Sequence, residues 1–142
     1  MGLMDSLLLT PITEVDTLFL YELLEERDET INVSFKKIPS FEEHSNFVKN
    51  NKYDGWYIIS INKKNVGHIN IDSKSYIGTF IKKDYQKLGI GVESFKKLRI
   101  LHPREKYFGK VNPKNFQSRI LLEKMGFKLI KSYNDRLEYE FC

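Results

Sequence analysis

Between Gly55 and Ile81 the apolar residues come in three short runs separated by polar turns. Gly55 to Ile61, with Trp56, Tyr57, Ile58 and Ile59, is rich in the aromatic and β-branched side chains that suit a pleated surface. Asn62-Lys63-Lys64-Asn65 turns it into Val66 to Asp72, and Asp72-Ser73-Lys74 turns that into Tyr76 to Ile81. Three strands joined this way predict an antiparallel meander. Past Gly89 the period changes, and Val92, Phe95, Leu98 and Leu101 recur on one helical face up to Pro103. Upstream, Leu7 to Thr10 is an apolar run stopped by Pro11, which predicts a first strand. Thr13 then offers an N-cap for a helix over Glu14 to Arg27. Asp28 to Pro39 keeps no period and reads as a loop. Ser40 followed by Glu43 has capping-box spacing, and Phe41, His44, Phe47 and Val48 share the face of the helix it opens. This loop and helix could form one wall of a substrate cleft. Downstream, Tyr107 to Val111 reads as strand, and Pro113 with Asn115 opens a helix in which Phe116, Ile120, Leu121 and Met125 can face inward. Gly126 stops that helix, and Phe127 to Ile130 and Leu137 to Phe141 resume as strand. The predicted order is βααβββαβαββ: a single α/β domain of 142 residues, with no internal repeat and no linker.

Composition narrows the partners. A net charge of +4 suits an anionic ligand, but charges of both signs are spread along the chain, so nucleic-acid binding is not indicated. The one cysteine, Cys142, can build neither a disulfide framework nor a thiolate metal cluster within one chain, and a reducing, cytoplasmic setting is the expectation. No long apolar run and no basic leader with an apolar core is visible, so no membrane is expected. Association into a homodimer is permitted.

Candidate chemistry concentrates at Gln86-Lys87-Leu88-Gly89-Ile90-Gly91-Val92. A strand, a tight turn with two glycines and then a helix leaves several free backbone N–H groups at the positive end of a helix dipole, where phosphate can sit. Alone, such spacing is weak, because Gly-x-Gly also occurs where a chain simply bends. The later stretch adds Asn115-x-x-Ser118 and then Glu123-Lys124-Met125-Gly126-Phe127. With both motifs in this order, on elements assigned independently by periodicity, the chain resembles the GCN5-related N-acetyltransferases, the GNAT superfamily.

That resemblance implies a mixed, mostly antiparallel twisted sheet flanked by helices on both faces, and acetyl-CoA as acetyl donor without a metal. It implies that the backbone of Lys87 to Gly91, flanked by Gln86 and Val92, holds the CoA pyrophosphate. It also puts Phe80, Ile81 and Lys82 along the pantetheine arm and Asn115 beside the cofactor. Two positions depart from the family. Lys87 replaces its frequent first glycine, which makes the turn less permissive, and Leu122 replaces its frequent proton-donating tyrosine. The branch that acetylates ribosomal-protein N-termini often lacks that tyrosine too and is thought to use the serine that Ser118 matches. Ser118 is therefore the candidate acid toward the departing thiolate, or else a helix-face serine bonded to its own backbone.

Acetyl transfer needs a neutral amine and a polarised carbonyl, and a strand amide near Ile81 could bind the developing oxyanion. Candidate bases are Glu43, His44, His68 and Asp72. Alternation along Val66 to Asp72 puts His68, Asn70 and Asp72 opposite Ile69 and Ile71, where they could simply face solvent. The stretch Ile38 to His44 looks like the I-x-x-E-E-H segment of GNAT members that acetylate amino sugars on nucleotide carriers. Phe35, Trp56, Tyr57 and Phe80 could line an acceptor pocket or belong to the core. Lys96, Lys97, Arg99, His102 and Arg104 could attract a CoA phosphate or form a solvated face. The expected reaction is N-acetylation of a small-molecule amine or nucleotide-linked amino sugar. A protein N-terminal acetyltransferase and a non-catalytic acyl-CoA-binding module are the alternatives.

Overall fold

A computed structural model describes residues 3–27 and 38–142. The element order is β1 (Leu7–Pro11), α1 (Thr17–Glu26), α2 (Phe41–Lys49), β2 (Gly55–Ile61), β3 (Lys64–Ile71), β4 (Ile77–Ile81), α3 (Ile90–Leu101), β5 (Tyr107–Val111), α4 (Phe116–Met125), β6 (Lys128–Ser132) and β7 (Leu137–Phe141). This is the predicted βααβββαβαββ. Thr13 caps a 3-10 turn, Glu14–Asp16, that leads into α1. Ser40 and Glu43 form the expected reciprocal capping box at the start of α2. Most of the predicted loop from Asp28 to Pro39, with Phe35, lies outside the described residues.

The strands do not make one continuous sheet. Four pair antiparallel in the order β1-β2-β3-β4 and three in the order β5-β7-β6. Among the described residues the two sheets meet between β4 and β5 in a single parallel bridge, Tyr76 to Phe108, beside a 2.9 Å bond from the Phe108 N–H to the Ser75 carbonyl. Beyond that bridge β4 and β5 diverge.

Helices cover both faces. On one, Phe95 and Leu98 of α3 and Leu122 and Met125 of α4 pack with Ile59, Ile69, Ile71, Ile81 and Tyr139. On the other, Leu20 and Leu23 of α1 and Val48 of α2 pack with Trp56 and Ile58, and Phe80 joins them. Because both faces are covered, alternation along β3 separates two buried environments. The expectation of solvent-facing side chains at His68 and Asn70 is therefore corrected: Asn70 is buried and His68 half-buried under α1 and α2. Trp56 is core, on the α1 and α2 side of the sheet.

Candidate cofactor fork

The gap between β4 and β5 has a backbone lining set by pairing register. Lys82 N–H donates to the Val66 carbonyl at 2.8 Å, and Asp72 N–H donates to the Tyr76 carbonyl at 3.0 Å. These bonds frame the antiparallel register running from Gly67 opposite Ile81 to Ile71 opposite Ile77. In such a ladder alternate residues bond their partner strand and the rest turn N–H and C=O outward. Gly78, Phe80 and Lys82 therefore face β3, and Ile77, Thr79 and Ile81 face the gap. Of Phe80, Ile81 and Lys82, only Ile81 offers its amide to the fork. Thr79, not singled out from sequence, is its companion, because the alternation becomes readable only once the register is known.

The turn at the mouth of the fork is held in an unusual backbone shape. Lys87 has φ 66 and Gly89 φ 85, both left-handed. A left-handed conformation costs a side-chain-bearing residue about 1–2 kcal/mol, so the lysine holds a shape that glycine would adopt freely. Gln86 does not reach out of the turn. Its Nε2 donates to the Ile81 carbonyl at 2.9 Å and ties the turn to the end of β4. Gly89 caps α3, and the first amide of this region with an acceptor is Glu93 N–H, bonded to the Gly89 carbonyl at 3.1 Å. Among the described residues, the amides of Lys87, Leu88, Gly89, Ile90, Gly91 and Val92 have none. Six such donors at a helix N-terminus, on an exposed turn, fit a pyrophosphate. Gly91 also lets α4 approach: a β-carbon there would lie 2.9 Å from the Leu121 Cδ1.

Across the fork, Asn115 caps α4. Its side-chain oxygen accepts from the Ser118 N–H at 3.1 Å, and its Nδ2 donates to the Ser118 Oγ at 2.8 Å. Ser118 Oγ thus already accepts a hydrogen bond, and its own proton is left to donate elsewhere. Leu122, one turn on, is buried against Gly109 of β5 and offers no polar atom.

The candidate bases are all engaged. Glu43 is exposed and accepts the Ser40 N–H at 3.1 Å, and the hydrogen bonds from Ser40 hold its carboxyl below the usual range. His44 is buried between α1 and α2, with Nε2 3.2 Å from the Thr17 carbonyl. Only an N–H can satisfy a carbonyl, so Nε2 carries the proton and Nδ1 keeps a lone pair; burial lowers its pKa. His68 has the opposite arrangement. Trp56 Nε1 donates to its Nδ1 at 3.1 Å, which puts the proton on Nε2, and burial pushes its pKa down to about 3. Asp72 caps its own turn, its Oδ1 accepting from the Lys74 and Tyr76 amides at 2.9 Å.

The basic residues near α3 are mostly occupied. Arg104 pairs with Asp54 at 2.8 Å and donates to Ser75 at 2.9 Å. The Arg99 guanidinium lies between the Phe95 and Phe141 rings, at 4.8 and 4.5 Å. His102 Nε2 sits 2.7 Å from the Tyr57 hydroxyl, and Lys96 lies 3.9 Å from Glu93. Among the described residues no helix is long and apolar enough to cross a membrane.

No protein-family profile and no curated protein matches the chain. Solved structures do. A ribosomal L7/L12 alpha-N-protein acetyltransferase in complex with coenzyme A aligns at 18% identity over 99% of this chain and 96% of its own, with a TM-score of 0.80. Spermidine N-acetyltransferase from Vibrio cholerae, in complex with CoA and spermine, aligns at 15% identity over 96% and 95%, with a TM-score of 0.76. A GNAT-family acetyltransferase from Bacillus anthracis aligns at 18% identity over 96% and 94%, also with a TM-score of 0.76. Sequences this far apart share architecture before chemistry. The chain has the fold of the GNAT acetyltransferases.

Proposed function

We propose that the chain is an acetyl-CoA-dependent N-acetyltransferase that passes acetyl directly to a primary amine of a small molecule or nucleotide-linked amino sugar. The observation that carries this is the fork, where a row of amides from Lys87 to Val92, without acceptors among the described residues, continues into the edge of β4 that no described strand covers. The amides suit the pyrophosphate, and the outward N–H and C=O of Thr79 suit an amide-bearing arm laid along the strand. Acetyl-CoA would supply the activated thioester.

This chain's residues would then divide the work. Ile81 N–H, aimed into the fork, stabilises negative charge developing on the carbonyl oxygen. Ser118, with Oγ held as acceptor by Asn115, directs its proton to the departing sulfur. His68 cannot take the amine proton, because Trp56 occupies Nδ1 and Nε2 already carries hydrogen. His44 keeps its Nδ1 lone pair and a lowered pKa, so it is the base of choice, reached through water because the ring is buried. Glu43, one residue before it, supports it by capping α2. Cys142 is exposed at the end of the chain and is given no part in the transfer.

The acceptor class follows the Glu43-His44 segment. A protein N-terminus is the second reading, favoured by Ser118 without a tyrosine and by the likeness to the ribosomal-protein enzyme. Thiol release from acetyl-CoA, measured across amino sugars, small amines and N-terminal peptides, separates the two. A saturating ligand at 100 times its dissociation constant should stabilise the fold by about 2.7 kcal/mol. Stabilisation without thiol release on any acceptor would mean a non-catalytic acyl-CoA-binding module. Absence of stabilisation would sink the fork assignment itself.

A further inference from the structure

The end of α1 puts a cation where no described residue supplies a counter-charge. Arg27 follows Glu26, the last residue of α1, and its guanidinium carbon lies 5.0 Å from the centre of the Phe80 ring. Phe80 sits on β4 beside Ile81, so this is the α1 side of the fork. Glu26 secures the placement, its carboxylate accepting the Lys83 N–H at 3.0 Å just beyond β4. Among the described residues no carboxylate pairs with Arg27. The groups near it are Tyr53 and His68, which pairs with Phe80 across β3 and β4, and Asp72 is committed to its own turn. Burial accordingly lowers the Arg27 pKa. An aromatic face compensates only part of what burying a guanidinium costs, and an anion would compensate the rest.

His68 adds a second donor. With Nδ1 held by Trp56, it is a fixed neutral imidazole whose Nε2–H has no acceptor among the described residues. Two donors without acceptors among the described residues, one of them charged, beside the strand that offers the oxyanion amide, describe an anion subsite.

We infer that Arg27 and His68 form a subsite for an anionic group on the acceptor, so that the amine to be acetylated carries a carboxylate or a phosphate. This rests on the acetyltransferase reading and sharpens it. An acceptor bearing only positive charge would bring its ammonium toward Arg27 and be disfavoured, whereas an amino sugar on a phosphorylated carrier or an amine with a carboxylate is matched.

The test uses matched acceptors with the intact protein: glucosamine against glucosamine 6-phosphate, ethanolamine against phosphoethanolamine, serine amide against serine, and spermidine as the cation. The phosphate and carboxylate pairs distinguish the two anions. Wild-type protein should prefer the anionic member of at least one pair by about 10- to 100-fold in kcat/KM, the range expected of hydrogen bonds to a charged group. Arg27→Met should remove that preference through KM, and Arg27→Lys should restore part of it, with the CoA-induced rise in Tm kept in both. The inference is overturned by equal or better turnover of the neutral members or spermidine, or by Arg27→Met lowering both members of a pair alike. Absence of turnover on every anionic amine, while acetyl-CoA still raises Tm, also overturns it. Failure of acetyl-CoA to raise Tm removes the acetyltransferase reading and this inference together. The wild-type preference needs no variant, so a poorly folding substitution does not stop the test.

Discussion

Ser118 is fixed by a neighbour that uses both ends of one amide. Asn115 takes the Ser118 N–H and gives Nδ2 to its Oγ, so the serine oxygen is held in place as an acceptor and its proton is turned away from Asn115. If that proton goes to the leaving sulfur, Ser118→Ala should lower kcat by about 100-fold, the low end for a positioned acid, and leave the KM for acetyl-CoA nearly unchanged. Steady-state kinetics decides it, and unchanged kcat would reduce Ser118 to a cap partner. This pair was legible in the sequence because a cap and its third residue lie within one turn. His68 was not legible in that way. Its face of β3 is covered by α1 and α2, which no local alternation reveals, and its bond to Trp56 exists only because β2 and β3 pair in register. A histidine held neutral with its folded pKa near 3, against 6.5 when free, stabilises the fold fully above pH about 6.5. That contribution is lost as pH falls from there toward about 3, because the unfolded chain takes the proton first. In NMR titrations, the His68 ring should therefore show the Nε2–H tautomer and no protonation step between pH 7 and 5. A midpoint inside that range would remove both the buried pair with Trp56 and its role as a fixed donor.

At the scale of elements, agreement was closest where a local pattern decides the structure. Gly55–Ile61, Tyr107–Val111 and Leu137–Phe141 appear with the bounds their apolar runs predict, and Ser40 with Glu43 builds the expected box. The turn before α3 needed the structure, because Gln86 spends its side chain on the Ile81 carbonyl and Lys87 takes a left-handed shape in place of a glycine. Gly89 isolates the cost of that shape. A β-carbon there would meet nothing within 4 Å, yet its φ is +85. Gly89→Ala should therefore cost about 1–2 kcal/mol from backbone conformation alone, measured by urea unfolding, and weaken CoA binding in proportion to how far the amide row shifts. A larger loss of stability would mean that the added methyl collides with something the fold keeps close.

Among the described residues the molecule is two sheets joined at one bridge, Tyr76 to Phe108, and this is the part that local sequence pattern showed least. Periodicity predicts strands one at a time and says nothing of which edge of Tyr76 to Ile81 is left open among the described residues; only the family resemblance, which lays the pantetheine arm along Phe80 to Lys82, implied it. Yet that missing partner is what opens the fork. A chain laid along the edge would add the hydrogen bonds that β5 withholds and would couple the β1-β2-β3-β4 sheet to the β5-β7-β6 sheet through the space between them. The alternation on β4 makes this testable amide by amide. Gly78, Phe80 and Lys82 direct N–H toward β3, so their exchange with solvent should already be slow without ligand. Thr79 and Ile81 direct N–H into the fork and should exchange fast in the free protein. On adding CoA, the Thr79 and Ile81 amides, with those of Lys87 to Val92, should slow by at least about tenfold, whereas Gly78, Phe80 and Lys82 should change only as far as global stability rises. A uniform slowing across β4 would mean that CoA stabilises the fold from elsewhere. Slowing confined to the turn would place the pyrophosphate correctly but leave the open edge of β4 without the pantetheine arm, and with it the alignment of Ile81 and Ser118 on the thioester.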